Sequence, residues 1–234
     1  MPDEVICPWI VPRASGVLLK LFDDDACRSE ALAARFCLYS DAESSHQVSR
    51  INSGFLSQGV INHRLNKPLA MNLYPAGSIQ GFLNLFSSEP APRLVRALTK
   101  TTITRQPRAV FRERFLDDKD LLLEYIRYCE IVGKSELIGM EALFSLSLAD
   151  RFFLFCAASL FHAGVNPLES REDYLQLPIP ISRVALCNII YTTKAPLDRL
   201  FSLLAKNEQI VRNADGRIIR RKDLEVMCEW ILSR

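Results

Sequence analysis

The sequence predicts an α+β fold: an antiparallel β-domain, then a long helix, then a helical unit that closes on a β-hairpin. Three observations carry this. From Val48 to Phe111 short alternating or β-branched runs are cut by turn residues, from Asp117 to Met140 apolar residues recur at helical spacing, and from Ile181 to Arg221 two short helices lead into a hairpin.

The β-domain is legible from its punctuation. Ser53-Gly54, Asn66-Lys67-Pro68, Pro75-Ala76-Gly77 and Glu89-Pro90-Ala91-Pro92 each end a short run, which is the texture of antiparallel strands joined by tight turns. In the helix that follows, Leu122, Ile126, Cys129, Gly133, Leu137, Met140 and Phe144 are spaced by threes and fours and form one continuous apolar seam. A second row, Leu121, Tyr125, Tyr128 and Val132, can serve the contact with the chain's own β-domain. That leaves the seam either for a second copy, with Gly133 permitting close approach, or for packing within the chain. Leu143 to Ala163 is a strongly apolar helix stopped by Gly164 and Pro167, with Phe152, Phe153, Phe155 and Leu160 as core.

Ile181 to Leu204 then reads as helix, tight turn, helix. Val184, Leu186, Ile189 and Ile190 are expected on one face of the first helix, and Leu197, Leu200 and Leu204 on one face of the second. Thr193 is placed to cap the second helix with its hydroxyl, and Pro196 falls at its third position, where a missing N–H does no harm. Lys194, Ala195, Asp198 and Arg199 remain exposed. This is the layout of a helix-turn-helix that reads DNA, and equally of a plain helical hairpin inside a larger domain. Gln209 to Arg221 favours the first, because two β-branched runs joined by an Asp-Gly turn make a wing. Charge agrees: from Pro178 to Arg234 there are ten Lys and Arg against six Asp and Glu, while the rest of the chain is slightly acidic.

At 234 residues, 49% hydrophobic and 24% charged, the chain is long enough to bury two cores. No apolar run reaches membrane-spanning length and no leader precedes the first domain, so a cytoplasmic protein without a membrane partner is expected. Seven cysteines are scattered without paired spacing, which suits free thiols in a reducing compartment. No nucleophile elbow, phosphate-cradling glycine loop, metal-ligand cluster or carboxylate pair is present, so neither catalytic nor metal-ligating residues are assigned and no enzyme is expected. Asp23-Asp24-Asp25 reads as a solvated turn, and His46, His63 and His162 as isolated imidazoles.

Taken in order, these segments resemble the Crp/Fnr superfamily of bacterial transcription regulators from Val48 to the C-terminus. The anchors are INSGFL (Ile51 to Leu56) and YPAGSIQG (Tyr74 to Gly81), similar to the paired glycine turns of the family's β-roll. Ala109-Val110-Phe111 enters the long helix, and Ala149-Asp150-Arg151-Phe152 and Asp198-Arg199-Leu200 follow. The resemblance implies an N-terminal antiparallel β-roll like a cyclic-nucleotide-binding jelly roll (1–116), a long dimerisation helix (117–142) and a C-terminal winged helix-turn-helix (143–234). It implies a homodimer on a palindromic operator in double-stranded DNA, responsive to an effector, and admits RNA polymerase as a further partner. Lys194, Ala195, Asp198 and Arg199 match base-contacting positions, Thr193 a phosphate contact, and Arg217, Arg220 and Arg221 wing contacts. The dimer interface falls on Leu122, Ile126, Cys129, Gly133, Leu137 and Met140.

The departures bear on the ligand. Cyclic-nucleotide-binding members carry Glu after the second glycine turn and an Arg-Ser or Arg-Thr pair about ten residues later; here the positions read Gly81-Phe82 and Arg93-Leu94. Cyclic AMP is therefore not expected. Cys7, Cys27 and Cys37 are too dispersed for an iron–sulfur cluster, no histidine is placed to ligate haem, and no cofactor is assigned. An apolar effector pocket is expected instead around Tyr74, Phe82 and Leu85 with Arg93, the alternative being that these residues simply fill the roll. Tyr191 stands where the family prefers glycine in the reading turn, and only 14 residues separate Phe36 from Ile51, fewer than the family's entry strands use.

Overall fold

The computed structural model describes residues 5–24, 27–39, 46–62, 67–83, 85–86, 93–179, 181–213 and 216–234. The chain divides into two compact units, residues 11–134 and residues 1–10 with 135–234.

In the first unit, a short helix α1 (Gly16–Lys20) precedes eight strands. These are β1 (Arg28–Leu32), β2 (Cys37–Tyr39), β3 (Gln47–Ser53), β4 (Phe55–Asn62), β5 (Lys67–Pro75), β6 (Ile79–Gln80), β7 (Arg93–Ala97) and β8 (Thr101–Pro107). They form two antiparallel four-stranded sheets, ordered β1-β8-β3-β6 and β2-β7-β4-β5, which is a β-roll. The two glycine-turn anchors meet: the Gly77 N–H donates to the Ile51 carbonyl at 2.8 Å, and the Ile51 N–H to the Ser78 carbonyl at 3.0 Å. Helices α2 (Arg108–Asp117) and α3 (Lys119–Ser145) follow, separated because Asp118 is extended and its carboxylate caps α3, accepting the N–H groups of Asp120 and Leu121. Leu121, Tyr125, Tyr128 and Val132 of α3 join the roll's core with Phe111 and Phe115. Asp23 and Asp24 are exposed in a turn, as expected, and also pair, Asp23 with Arg50 and Asp24 with Arg114; Asp25 lies outside the described residues.

In the second unit, α4 (Leu148–His162) starts anew at Ser147. The single helix expected over Leu143–Ala163 is broken there, because the Ser147 hydroxyl accepts the Asp150 N–H and ends continuity with α3. Strand β9 (Tyr174–Gln176), helices α5 (Arg183–Ile189) and α6 (Lys194–Lys206), strands β10 (Ile210–Asn213) and β11 (Gly216–Arg220), and helix α7 (Glu225–Leu232) complete it. The hairpin is there, but Asn213 pairs with Gly216, so Gly216 is a strand residue and not half of an Asp-Gly turn; residues 214–215 lie outside the described residues. β9 adds a third strand to the wing, pairing with β11.

Val184 corrects the expected face of α5. It is 71% exposed while Leu186, Ile189 and Ile190 are buried, because at 100° per residue it lies well away from Ile189 around the helix. Ala185 takes its place in the core.

Candidate DNA-reading surface

The candidate reading helix is α6, and its inner face is apolar. Leu197, Leu200, Phe201 and Leu204 are buried, and Phe201 meets Phe152 of α4 edge-on at 5.3 Å between ring centroids. The turn before it is tight. The Thr192 N–H reaches the Cys187 carbonyl at 2.8 Å, closing α5 with a Schellman-type bond, and Tyr191 between them has φ +51°. A side chain is strained in that left-handed conformation. Tyr191→Gly is therefore expected to raise stability by about 0.5–1 kcal/mol, with no loss of DNA affinity, as read by urea unfolding.

Thr193 occupies the cap position of α6 with extended backbone, but its hydroxyl makes no capping hydrogen bond; only its carbonyl, accepting from Leu197, serves the helix. The side chain is thus exposed and unused by the cap. Lys194, Ala195 and Arg199 are exposed on the outer edge of α6, and neither cation forms an ion pair among the described residues. Asp198 differs. It is half-buried and ion-paired with Arg183, at the first turn of α5, whose guanidinium also lies 5.5 Å from the Phe201 ring centroid. The pair neutralises a carboxylate that would repel a phosphate backbone, and it engages the acceptor that was expected to reach a base. Arg183 was missed by sequence reasoning; its partner lies fifteen residues away on another helix, and the spacing carries no signal.

The wing cations are also partly engaged. Arg220 holds Asp223 with two hydrogen bonds, at 2.7 and 3.0 Å, and that bonding raises its pKa above the ordinary guanidinium value. Arg221 pairs with Glu225. Arg217 lies in β11, but its side chain falls outside the described residues. Lys222 is exposed beside them.

On α3 the expected seam is open to solvent. Ile126, Leu137, Met140 and Phe144 are 43, 61, 44 and 91% exposed, Leu122 and Cys129 are half-buried, and a methyl group on Gly133 would meet nothing within 4 Å. Burial raises the Cys129 thiol pKa despite a counteracting hydrogen bond with Tyr125.

The residues expected around the effector are placed in two different settings. Phe82 and Leu85 are 1 and 0% exposed, and Phe82 is the hub of an aromatic cluster with Phe111, Phe115, Tyr125 and Tyr128 at centroid distances of 4.8–6.0 Å. The Tyr125 hydroxyl donates to the Phe82 carbonyl at 3.1 Å. Tyr74 is 2% exposed on β5, opposite Leu56. Arg93 begins β7, half-buried, opposite Val60. Among the described residues no group of three or more His, Cys, Asp and Glu is arranged to hold a metal. His46 and His162 are described, and His63 is not.

No protein-family model and no curated protein matches the chain. Solved structures do. FixK2 from Bradyrhizobium japonicum superposes with a TM-score of 0.70 at 13% identity, over 86% of this chain and 96% of its own. The c-di-GMP responsive global regulator CLP of Xanthomonas campestris gives 0.66 at 13%, over 88% and 98%. A transcriptional regulator of the CRP family from Thermus thermophilus gives 0.62 at 14%, over 88% and 97%. The chain has a Crp/Fnr-type fold, with β-roll and helical C-terminal domain, and two of these neighbours are named as regulators. No helix among the described residues is long and apolar enough to cross a membrane.

Proposed function

We propose that this chain is a DNA-binding transcription regulator of the Crp/Fnr type, working as an effector-responsive homodimer on a palindromic operator in the cytoplasm. The observation that carries it is the outer edge of α6. Two cations, Lys194 and Arg199, and the Thr193 side chain are exposed along α6 opposite its buried apolar face, after a turn closed by the Thr192–Cys187 bond and with a three-stranded wing in the same unit. Arg199 is the base reader, since its planar fork can hold guanine through two hydrogen bonds, while Lys194 and Thr193 hold phosphates and Ala195 offers apolar contact. Asp198, held by Arg183, positions the helix pair, and Arg217 carries the wing's phosphate contact with help from Lys222. RNA polymerase is a further partner in this reading.

The homodimer uses α3. A surface row of Leu122, Ile126, Cys129, Gly133, Leu137 and Met140 is costly to leave in water and fits the same row of a second copy. Ile126→Glu is expected to convert the protein to monomers and weaken operator binding at least about 100-fold, with the roll still folded. Sedimentation velocity and circular dichroism check both parts; a dimer that survives the substitution would place the interface elsewhere.

A second reading has its own support. With Asp198 and Arg220 tied to intrachain partners and Ala195 lacking a hydrogen bond, fewer groups remain to read bases. A regulator-like protein that has lost specific DNA binding and acts as a ligand- or protein-interaction module would look like this. Selection of bound DNA separates the two.

A further inference from the structure

The sheet β1-β8-β3-β6 carries a row of polar residues that runs from the buried Ser49 and Gln80 to Arg105, whose side chain is 23% exposed, in a roll that also buries Ser57, Ser78, Thr101 and Gln106. Ser49 of β3 pairs with Gln80 of β6 on one side and with Arg105 of β8 on the other, so the three side chains share one face. That face points at the opposite sheet, since the Gln80 amide donates toward the Gln58 carbonyl oxygen of β4 at 3.5 Å. Two residues along the same face, Ile51 and Ile103 are fully buried. Ser49, Gln80 and Gln58 are 0, 3 and 5% exposed.

Among the described residues each member of the row has a buried atom without a partner, the Ser49 hydroxyl, the Gln80 Oε1 and the Arg105 Nε, as do the neighbouring Gln106 amide and, elsewhere, Trp9 and Arg151. Exchanging the Gln80 amide atoms does not help, because one of them stays unpaired in either orientation. Buried polar groups are ordinarily paired with protein, water or a ligand, and these three lie side by side on adjacent strands. The row offers two donors, Ser49 and Arg105, and one acceptor, Gln80. Arg105 is already shared, its Nη2 holding Glu30 at 2.8 Å, so the local positive charge is small and suits a singly charged carboxylate better than a phosphate dianion. Gln80 lies two residues before Phe82 and Gln58 pairs with Val95 beside Leu94, so the row borders the two positions at which the cyclic-nucleotide members hold their ligand, while Ser49 and Arg105 lie on β3 and β8.

We propose that the roll seats a small organic acid bearing a hydroxyl or amino group, with its carboxylate on Ser49 and Arg105 and its donor on Gln80. This rests on reading the roll as the effector domain, and it replaces the apolar ligand expected from Tyr74, Phe82 and Leu85 with a polar one, because Phe82 and Leu85 are committed to the aromatic core. The atoms themselves give the test a second handle: in the free protein they are a cost, and with the ligand they are contacts.

The experiment is calorimetric titration and thermal unfolding of the full chain, without DNA, against lactate, 3-hydroxybutyrate and alanine. Propionate, for lactate and alanine, and butyrate, for 3-hydroxybutyrate, serve as counterparts lacking the donor, with inorganic phosphate alongside. At least one hydroxy or amino acid is expected to bind saturably and raise the unfolding midpoint, and its donor-less counterpart to bind about tenfold or more weakly. Ser49→Ala and Arg105→Gln are expected to weaken that binding by a similar factor, while Ser49→Ala in the free protein melts about 2–4 °C higher. Binding of none of these acids, equal binding by both variants, or preference for phosphate would overturn the proposal. A protein that binds the acid yet selects no operator keeps this inference and loses the regulator reading; the converse result does the opposite.

Discussion

Replacing Arg199 by alanine is expected to cost about 1–3 kcal/mol of discrimination at each half-site, so a symmetric dimer loses roughly 30-fold or more in specific affinity. The side chain is exposed, sits on the outer edge of α6, and forms no ion pair among the described residues, so its removal leaves the fold intact. The loss should be confined to the cognate sequence. Binding to random DNA, which depends on phosphate contacts, should change little, because one cation among several supplies it. Lys194→Ala should give the complementary pattern, lowering affinity for all sequences alike and reducing the salt dependence by about one unit per protomer. Competition assays across a salt series distinguish them. Equal affinity of Arg199→Ala and wild type for the operator would remove α6 as the base reader.

Gly54→Ala is expected to destabilise the β-roll by about 2–4 kcal/mol. At this turn φ is +79°, and an added methyl would lie 2.5 Å from the Lys100 carbonyl oxygen, 2.6 Å from the Thr101 hydroxyl and 2.9 Å from the Thr101 Cα. Two of those atoms are backbone and one belongs to a side chain bonded to the Phe55 and Thr99 carbonyls, so nothing there gives way cheaply. Gly133→Ala is the contrast. Inside α3, with nothing within 4 Å of the new methyl, it should favour the helix by about 0.5–1 kcal/mol while weakening a dimer that needs close approach. Denaturant titration reads both, and a Gly54→Ala protein as stable as wild type would mean that the turn is not built as described.

The parts of this molecule legible in its sequence are those with strong local signals. The glycine turns at Gly54 and Gly77 have the positive φ that only glycine adopts freely, the buried row on α3 has helical periodicity, and the wing strands are β-branched. What escaped has weak or long-range determinants. β1, reading Arg-Ser-Glu-Ala-Leu, is a polar edge strand with a single buried residue, and β9 is three residues long, so neither shows a period of two. Ser147 splits what reads as one continuous apolar helix. For the candidate site, the exposed edge of α6 followed from its apolar spacing, but the Arg183–Asp198 and Arg220–Asp223 pairs did not, since charge partners depend on side-chain placement. The polar row in the roll was equally hidden: Ser49, Gln80 and Arg105 become neighbours only once strand register is known.

Selection of DNA fragments bound by the purified full-length chain tests the central claim most directly. A dimer reading through α6 is expected to enrich a palindromic site whose half-site centres lie about one helical turn apart, roughly 10–10.5 base pairs or a multiple of it, and Arg199→Ala to lose that enrichment. Recovery of no common sequence, or of the same site by Arg199→Ala at wild-type affinity, would contradict it.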